Sequence, residues 1–414
     1  MKLFDILKQR NMIKDISDTA LAKKFLNEQK TRFYCGFDPS STSLTVGHLV
    51  QVVRSKILQS FGHTPIIVIG GATGLIGDPK QNHERKLISL ESSLENSKHI
   101  EAQLRNLLGE NAIYLNNYEW LKDINLVDYL REYGKFFPIN YMLSKDTISK
   151  RLEKGISYTE FSYMIIQSID FLHLYNEYNC KIQFGGSDQW GNITSGLELI
   201  RKKNHESEVL GLSSPLLLKS DGTKFGKSES GTLWLDKKLT SPYELYQYFL
   251  NSSDQDVINY LKLLTTLNNS EINEYQSKMN ENPGSRLAQK KLAEEVVIMV
   301  HGIKELNISK EVTNALFYGK FDNLAIESFE ILEKTLQITS NMNLIEALIE
   351  LKLASSKREA REFINNNAIQ INGKKINELD YKFLEEKFYH NKYLVIRRGK
   401  KKYGIVKKNV KDIN

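Results

Sequence analysis

The apolar positions of the N-terminal half follow two rhythms. Residues 32–38, Arg-Phe-Tyr-Cys-Gly-Phe-Asp, read as a short strand that Pro39 breaks. Between Gly47 and Ser60, Leu49, Val52, Val53 and Ile57 recur at helical spacing and predict one buried face, with Gly62 placed as a C-cap glycine. Pro65-Ile66-Ile67-Val68-Ile69 is a continuous apolar run with β-branched bias, suited to a buried parallel strand, and it exits into Gly70-Gly71. Strand, helix and strand in this order form a βαβ unit, which predicts an α/β, Rossmann-like, doubly wound parallel sheet. Lys181-Ile182-Gln183-Phe184 reads as a further strand leaving at Gly185-Gly186, followed by a helical run toward Leu199. Ligands of such sheets bind beyond the carboxyl ends of the strands. Both glycine pairs fall there.

From about Ser241 the pattern is helical, as in Leu287–Val300, and it thins over Phe317–Ala325. Leu344–Leu353 is apolar on several faces. Ser356-Lys357-Arg358-Glu359 fits a capping box opening a helix that turns Ala360, Phe363 and Ile364 inward and Lys357, Arg358 and Arg361 to solvent. Ile369-Gln370-Ile371 runs into Asn372-Gly373, a hairpin cue, and a second hairpin is expected over Leu394–Val406 with Arg397, Arg398 and Lys400–Lys402 at its turn. The expected division is a sheet domain over residues 1–228, an α-helical domain over 229–325, a linker over 326–342 and a small α+β domain over 343–414. Phe136-Phe137-Pro138-Ile139-Asn140-Tyr141-Met142, with Ile156 and Tyr158, forms an apolar group between the two halves of the sheet. It suits internal core and contact with a second copy equally.

Charge sharpens this picture. Residues 343–414 carry 17 Lys+Arg against 9 Asp+Glu, whereas residues 1–342 carry 40 against 41. The whole net charge of +7 therefore comes from the last segment, which suits a polyanionic partner through attraction to phosphates. A solvated lysine-rich tail explains the charge alone equally well. Hydrophobic content of 41% and charged content of 26% exclude a disordered chain. No apolar run has the length of a membrane span. The start, Met1-Lys2-Leu3-Phe4-Asp5, lacks the layout of a secretory signal, and two cysteines make no disulfide framework. The expected compartment is the cytoplasm.

Lys224-Phe225-Gly226-Lys227-Ser228 invites a P-loop reading, but that motif needs four residues between its first Gly and the GK[ST]. Gly222 and Gly226 have three between them, and no hydrophobic strand leads directly in. What remains is a glycine-flexed loop with two lysines three apart. Four further strings accompany it. They are Tyr34-Cys35-Gly36-Phe37-Asp38-Pro39 with Thr45-Val46-Gly47-His48-Leu49, Gly70–Pro79, Tyr163–Asp170 and Gln183–Asn192. Together, in this order over some 200 residues, they resemble the nucleotide-binding motifs, mobile lysine loop and amino-acid pocket of class I aminoacyl-tRNA synthetases, in the tyrosine-specific branch. The C-terminal basic module resembles the small RNA-binding domain of the bacterial members, so the resemblance spans essentially the whole chain.

The resemblance implies an enzyme that activates L-tyrosine with ATP and transfers it to tRNA(Tyr). It implies Mg2+ accompanying ATP as the substrate's partner, no protein-held metal, and a homodimer joined through the inserted segment. By position, Lys224, Lys227, Ser228, Ser40, Thr45 and His48 would serve the chemical step. Tyr34 and Asp170 would meet the substrate phenol, and Asp78, Tyr163, Gln167 and Gln189 would serve the rest of the tyrosine, with its α-ammonium taken by the first three. Cys35, Gly36, Asp38, Gly47, His48, Gly186, Asp188 and Lys227 would hold ATP. Lys357, Arg358, Arg361, Arg397 and Arg398 would contact tRNA. The chemistry suits these residue types: the attacking carboxylate is already ionised at neutral pH, so positioning and donors aimed at growing phosphate charge carry the step. Thr45 stands where the family usually has histidine, Ser40 where threonine is common, and the stretch Lys80–Lys86 is one residue shorter than usual. These departures bear on the rate of activation. An RNA-binding protein on a synthetase scaffold and a tryptophan-specific enzyme remain the alternatives. The intact lysine loop opposes the first and the Tyr34–Asp170 pair the second.

Overall fold

A computed structural model describes residues 1–79, 87–153, 155–220, 222, 225–228, 231–383, 387–399 and 402–408, apart from the side chains of residues 146, 147, 227 and 228. It divides into two compact units. The first comprises Met1–Thr240 with Tyr248–Val296, the second Ser241–Gln247 with Val297–Asn414.

In the first unit, strands β1 (Arg32–Phe37), β2 (Thr64–Ile69), β3 (Ile113–Asn116), β4 (Cys180–Gly186) and β5 (Leu210–Ser214) form one sheet in the order β3-β2-β1-β4-β5. Every pairing is parallel, with Tyr34 set against Ile66 on one side and Gln183 on the other. Alternation along β1 assigns the two faces. Tyr34 meets Phe171 of helix Tyr158–Tyr178, ring centroids 6.2 Å apart, while Cys35 meets Gln51 of helix Leu49–Ser60. Helices therefore cover both faces, as the apolar runs require. Leu49, Val52, Val53 and Ile57 are buried as their spacing predicts, and Gly62 takes φ +87° just past the helix end. Ser157 caps helix Tyr158–Tyr178 by accepting the Glu160 N–H, and Asn179, left-handed at φ 50°, ends it before β4. Two short strands, β6 (Lys227–Ser228) and β7 (Gly231–Thr232), pair antiparallel.

Arg10 is buried in this unit, and its guanidinium donates to the carbonyls of Lys262, Thr265 and Leu267. Those carbonyls belong to the end of helix Val257–Leu264 and the residues after it, where the chain has no helical donors left to offer.

In the second unit, β8 (Gln337–Thr339), β9 (Ile369–Ile371), β10 (Lys374–Ile376), β11 (Tyr393–Arg398) and β12 (Lys402–Lys407) order as β10-β9-β11-β12-β8. Both expected hairpins are present. Leu394 and Ile396 face a core with helices Leu344–Glu350 and Lys357–Asn365, in which Ala360 and Ile364 are buried. Tyr393 and Val395 point the other way, where Phe329 of helix Ile326–Thr335 stacks on Tyr393 with centroids 5.2 Å apart and planes 8° apart.

Three expectations are corrected here. Residues 326–342, read as a linker, form a helix and strand β8, which adds in parallel to β12; only Ser328, Phe329 and Leu332 of that helix are buried, too sparse a stripe to announce it. The Ser356 box is half formed: Ser356 accepts from Glu359 N–H, but the Glu359 carboxylate takes the N–H and hydroxyl of Ser355. Arg398 is not a free turn cation, because its Nη1 donates to the Leu353 carbonyl at 2.6 Å and its guanidinium covers the Phe363 ring. Arg397 lies over Tyr403. Arg358 and Arg361 are exposed, while Lys357 reaches Glu346 at 3.2 Å. Lys400 and Lys401 lie outside the described residues.

Candidate functional site

The strand order reverses direction of build between β1 and β4, and a cavity of about 290 Å³ opens at their carboxyl ends. Its floor and walls come from β1 and its exit (Tyr34, Gly36, Asp38, Ser40), from the turn before helix Leu49–Ser60 (Gly47, His48) and from the β2 exit (Gly70, Thr73, Asp78). Helix Tyr158–Tyr178 and the β4 exit supply the remainder. Tyr163, Gln167 and Asp170 sit at i, i+4 and i+7 of that helix, so all three side chains line the cavity from one face. Gly186, Asp188 and Gln189 line it from β4 and the turn that follows.

Asp170 is the most deeply held group. Its two carboxylate oxygens accept from Asn117 Nδ2 at 3.0 Å and Trp120 Nε1 at 2.9 Å, and its residue exposure is 1%. Burial pushes its pKa up to about 7 against these two stabilising donors. Tyr34, buried beside it, has its phenol raised well above the ordinary tyrosine range, first by burial and then by the Asp170 and Asp38 charges. Asp38 accepts from Tyr163 Oη at 2.8 Å and from Thr73 Oγ1 at 2.7 Å. Asp78 accepts from Gln189 Nε2 at 2.7 Å and Asn192 Nδ2 at 3.0 Å, and Asn192 also reaches Gln167 Oε1 at 3.1 Å. Burial raises Asp78 to about 7 as well. Gly70 cannot carry a side chain: a Cβ there would overlap the Asp38 carboxylate and the Thr73 hydroxyl.

His48 Nδ1 accepts the Thr45 N–H at 3.0 Å, which leaves the ring proton on Nε2. Burial lowers its pKa to about 4, so the ring is neutral. Thr45 turns its hydroxyl to the same Nδ1 at 3.2 Å and does not line the cavity. Cys35 does not line it either; its thiol points to the face of the sheet opposite Tyr34, where it meets Gln51, itself a lining residue. Four aspartates line the cavity, and among its described lining residues there is no lysine or arginine.

Lys224 and the stretch Lys80–Lys86 lie outside the described residues, as do the side chains of Lys227 and Ser228. The backbone around them is nevertheless anchored to the first motif. Val46 N–H donates to Leu233, Leu233 N–H donates to Gly226, and Gly226 packs so tightly on Val46 that a Cβ would come within 2.7 Å of it. Phe225 seats the segment against Tyr248, Phe249 and Tyr260. Two strings nearly 180 residues apart in the chain are thus brought to one edge of the cavity.

Residues 26–318 match the family described as tRNA synthetases class I (W and Y), and residues 327–406 match the tyrosine–tRNA ligase SYY-like C-terminal domain. The chain belongs to the class I tRNA synthetases. It is 51% identical over 411 residues to a tyrosine–tRNA ligase of Onion yellows phytoplasma, covering 98% of this chain and 100% of that one. Tyrosine–tRNA ligase 1 of Bacillus subtilis is 47% identical over 416 residues, covering 98% and 99%. Among solved structures, a C-terminally truncated mitochondrial tyrosyl-tRNA synthetase of Aspergillus nidulans superposes with a TM-score of 0.68 at 28% identity, covering 76% of this chain and 94% of that one.

Sequence reading of this synthetase missed Asn117, Trp120, Gln51, Gln183 and Leu216. Asn117 bridges Asp170, the Thr73 hydroxyl and the Ala72 N–H, yet it follows the weak strand β3 in a stretch with no motif. Thr73 and Asn192 lie within the Gly70–Pro79 and Gln183–Asn192 strings, whose resemblance gives them no role. Asn192 had one available signal, since it lies three residues after Gln189 on a helical turn.

Proposed function

We propose that this synthetase is a tyrosine–tRNA ligase, joining L-tyrosine to ATP as tyrosyl-adenylate with release of pyrophosphate, then passing the tyrosyl group to the 3′ end of tRNA(Tyr). The observation that carries the reading is Asp170, fixed by Asn117 and Trp120 beside Tyr34 at the bottom of the cavity. An acceptor already oriented by two donors suits a substrate phenol, and a substrate without the hydroxyl leaves it buried and short of a partner.

The steps follow from the residues. Asp78, Tyr163 and Gln167 receive the α-ammonium, and Gln189 orients Asp78. The tyrosine carboxylate oxygen attacks the α-phosphorus of ATP, and the bond to the pyrophosphate oxygen breaks. His48, donating from Nε2, and the hydroxyl of Ser40 act with Gly36, Gly47, Gly186 and Asp188 on the nucleotide. An aspartate-lined cavity repels phosphates, so compensating positive charge has to arrive with the Lys224–Ser228 segment and with Mg2+ carried in by ATP. Among the described residues no group of three or more His, Cys, Asp or Glu is arranged to hold a metal ion; the ion is proposed to enter with ATP.

The domain scheme fits this division of labour, with tyrosine and ATP handled before Ser230 and tRNA bound by the basic residues after Asn343, Arg358 and Arg361 first. A homodimer is part of the proposal. Phe137 and Met142 of the inserted apolar group are internal core, but Ile139 and Tyr158 are 67% and 65% exposed, near Leu126 and Val127 in sequence at 72% and 67%. Sedimentation showing only a 47.7 kDa species at micromolar concentration would count against it. No helix of the described residues is long and apolar enough to cross a membrane; a cytoplasmic site of action is proposed. The deciding experiment is exchange of labelled pyrophosphate into ATP with tyrosine, phenylalanine or tryptophan. Tyrosine-dependent exchange is expected, and exchange driven equally by tryptophan would overturn the specificity.

A further inference from the structure

The two donors that hold Asp170 are not themselves held alike. Asn117 is tied on several sides: its Nδ2 reaches Asp170 and the Thr73 hydroxyl, each at 3.0 Å, and its Oδ1 accepts the Ala72 N–H at 2.8 Å. Trp120 has a single polar side-chain group, Nε1, and that group is given to Asp170 Oδ1. No residue of its short helix, Tyr118–Leu121, is fully buried. The angle of the indole is therefore set by what lies against its ring.

His173 lies there. The ring centroids of Trp120 and His173 are 4.4 Å apart and the planes 15° apart, a parallel stack. An indole N–H lies in the plane of its ring, so whatever fixes the plane also aims the donor. His173 follows Asp170 by three residues on helix Tyr158–Tyr178, which puts both side chains on one side of the helix. One indole can then give its edge to the carboxylate and its face to the imidazole. Tyr178, its ring centroid 6.1 Å from that of His173, flanks the stack from the end of the same helix. Burial lowers the pKa of His173 and Glu177 opposes that shift only in part, so at neutral pH the imidazole is uncharged and acts through its shape. Neither ring lines the cavity. Any effect of His173 on the choice of substrate has to pass through Trp120.

We propose that His173 is a specificity-determining positioning residue: stacked on Trp120, it fixes the indole N–H that orients Asp170, and so sets how strongly tyrosine is preferred over phenylalanine. The proposal rests on the reading of Asp170 as the acceptor for the substrate phenol. It is tested on the full chain by pyrophosphate exchange into ATP with either amino acid. His173→Ala removes the stack. It is expected to lower the preference for tyrosine about threefold to tenfold, the order that a stacked aromatic pair supplies. The loss should come through a higher KM for tyrosine, with kcat and the KM for ATP within about twofold. His173→Phe restores a flat ring and is expected to keep the preference within about twofold of the parent. Trp120→Phe removes the donor itself and should lower the preference at least as far as His173→Ala does. The double variant should be no worse than Trp120→Phe alone, because the N–H that His173 aims is gone.

An unchanged preference in His173→Ala overturns the proposal. So does a loss shared equally by tyrosine, phenylalanine and ATP, which marks a residue that only supports the fold. Single effects that multiply in the double variant overturn it too, as does a His173→Phe enzyme as impaired as His173→Ala. If His173→Ala does not fold, His173→Leu fills the volume without a flat ring, and the same loss of preference is expected of it. Asp170→Asn separates the two levels of the reading. If it leaves the preference intact, the assignment of Asp170 falls and the proposal with it. A preference that drops in Asp170→Asn but not in His173→Ala removes His173 alone.

Discussion

At the scale of single residues, the buried carboxylates dominate. Asp170 has a folded-state pKa of about 7 against an ordinary 3.8, because burial penalises its charge. An acid raised on folding holds its proton longer in the native state than in the unfolded chain. Its contribution to stability is complete below the unfolded pKa and is lost as pH rises through 7. The ligand-free enzyme should therefore lose stability between about pH 4 and pH 7, by up to about 4 kcal/mol from this residue. Asp170→Asn should flatten that slope, which urea unfolding at three pH values would measure. It should also lower kcat/KM for tyrosine by about tenfold to a hundredfold while changing the value for phenylalanine little, since one buried partner of the phenol is lost. Equal losses for the two amino acids would mean that another group reads the hydroxyl. Asp78 behaves differently because its proposed partner is a cation. Binding an ammonium favours the ionised carboxylate, so tyrosine binding near neutral pH should release a proton and tighten from pH 6 to pH 8. Calorimetry at pH 7 in two buffers of different ionisation enthalpy checks this; identical heats would sink it.

Among the elements, the lysine segment shows what a loop can owe to its neighbours. Gly226 has φ +77° and sits against Val46. Gly226→Ala should strain the backbone by about 1–2 kcal/mol and push the segment off the first motif. The expected result is a kcat for adenylate formation lower by roughly tenfold with the KM for tyrosine nearly unchanged, in the direction of Lys227→Ala. A tyrosine KM that rose with kcat intact would remove both residues from the chemical step. The same segment marks the limit of sequence reading. Helix Leu49–Ser60 and strand β2 were legible because their periodicity and apolar runs are local properties. Tyr163, Gln167 and Asp170 were reached through the family resemblance, and the structure sets all three on one helix face. Asn117 and Trp120 were not legible, because their importance comes only from the distant carboxylate they hold. Arg54 gives no local signal, since its burial is apparent only when Phe184 and Gln51 are brought beside it. Helix Ile326–Thr335 reads as linker because its buried stripe is too short to stand out.

For the whole molecule, the proposed division between tyrosine activation and tRNA binding calls for a cut in the right place. Removal of residues 343–414 alone would strip Tyr393 from Phe329 and leave an apolar helix face uncovered. Truncation after Gly319 removes Phe329 together with Tyr393 and opens instead the face of Ile308, Val312 and Ala315 on helix Ile303–Tyr318. The shortened enzyme should keep tyrosine-dependent exchange but lose aminoacylation by more than about tenfold at physiological salt. Arg358→Gln with Arg361→Gln in the full chain should weaken tRNA binding and make its salt dependence shallower by roughly one unit of slope per lost phosphate contact. A truncated enzyme that charged tRNA normally would give the C-terminal unit a purely structural part.

The strand order also sets when each pairing can form. β1 is flanked by β2 and β4, and Cys180 of β4 lies 148 residues after its neighbour Arg32. At a synthesis rate of roughly 5–20 residues per second, β1 waits some 7–30 s on the ribosome before its second neighbour exists. Throughout that interval one edge of a strongly apolar strand is open, the condition under which nascent chains attract chaperones or aggregate. Ribosome-bound chains stalled before β4 should be digested by protease throughout, whereas chains released beyond the first unit should yield a resistant core. The central pairing that creates the cavity is also what makes the chain vulnerable while it is being made.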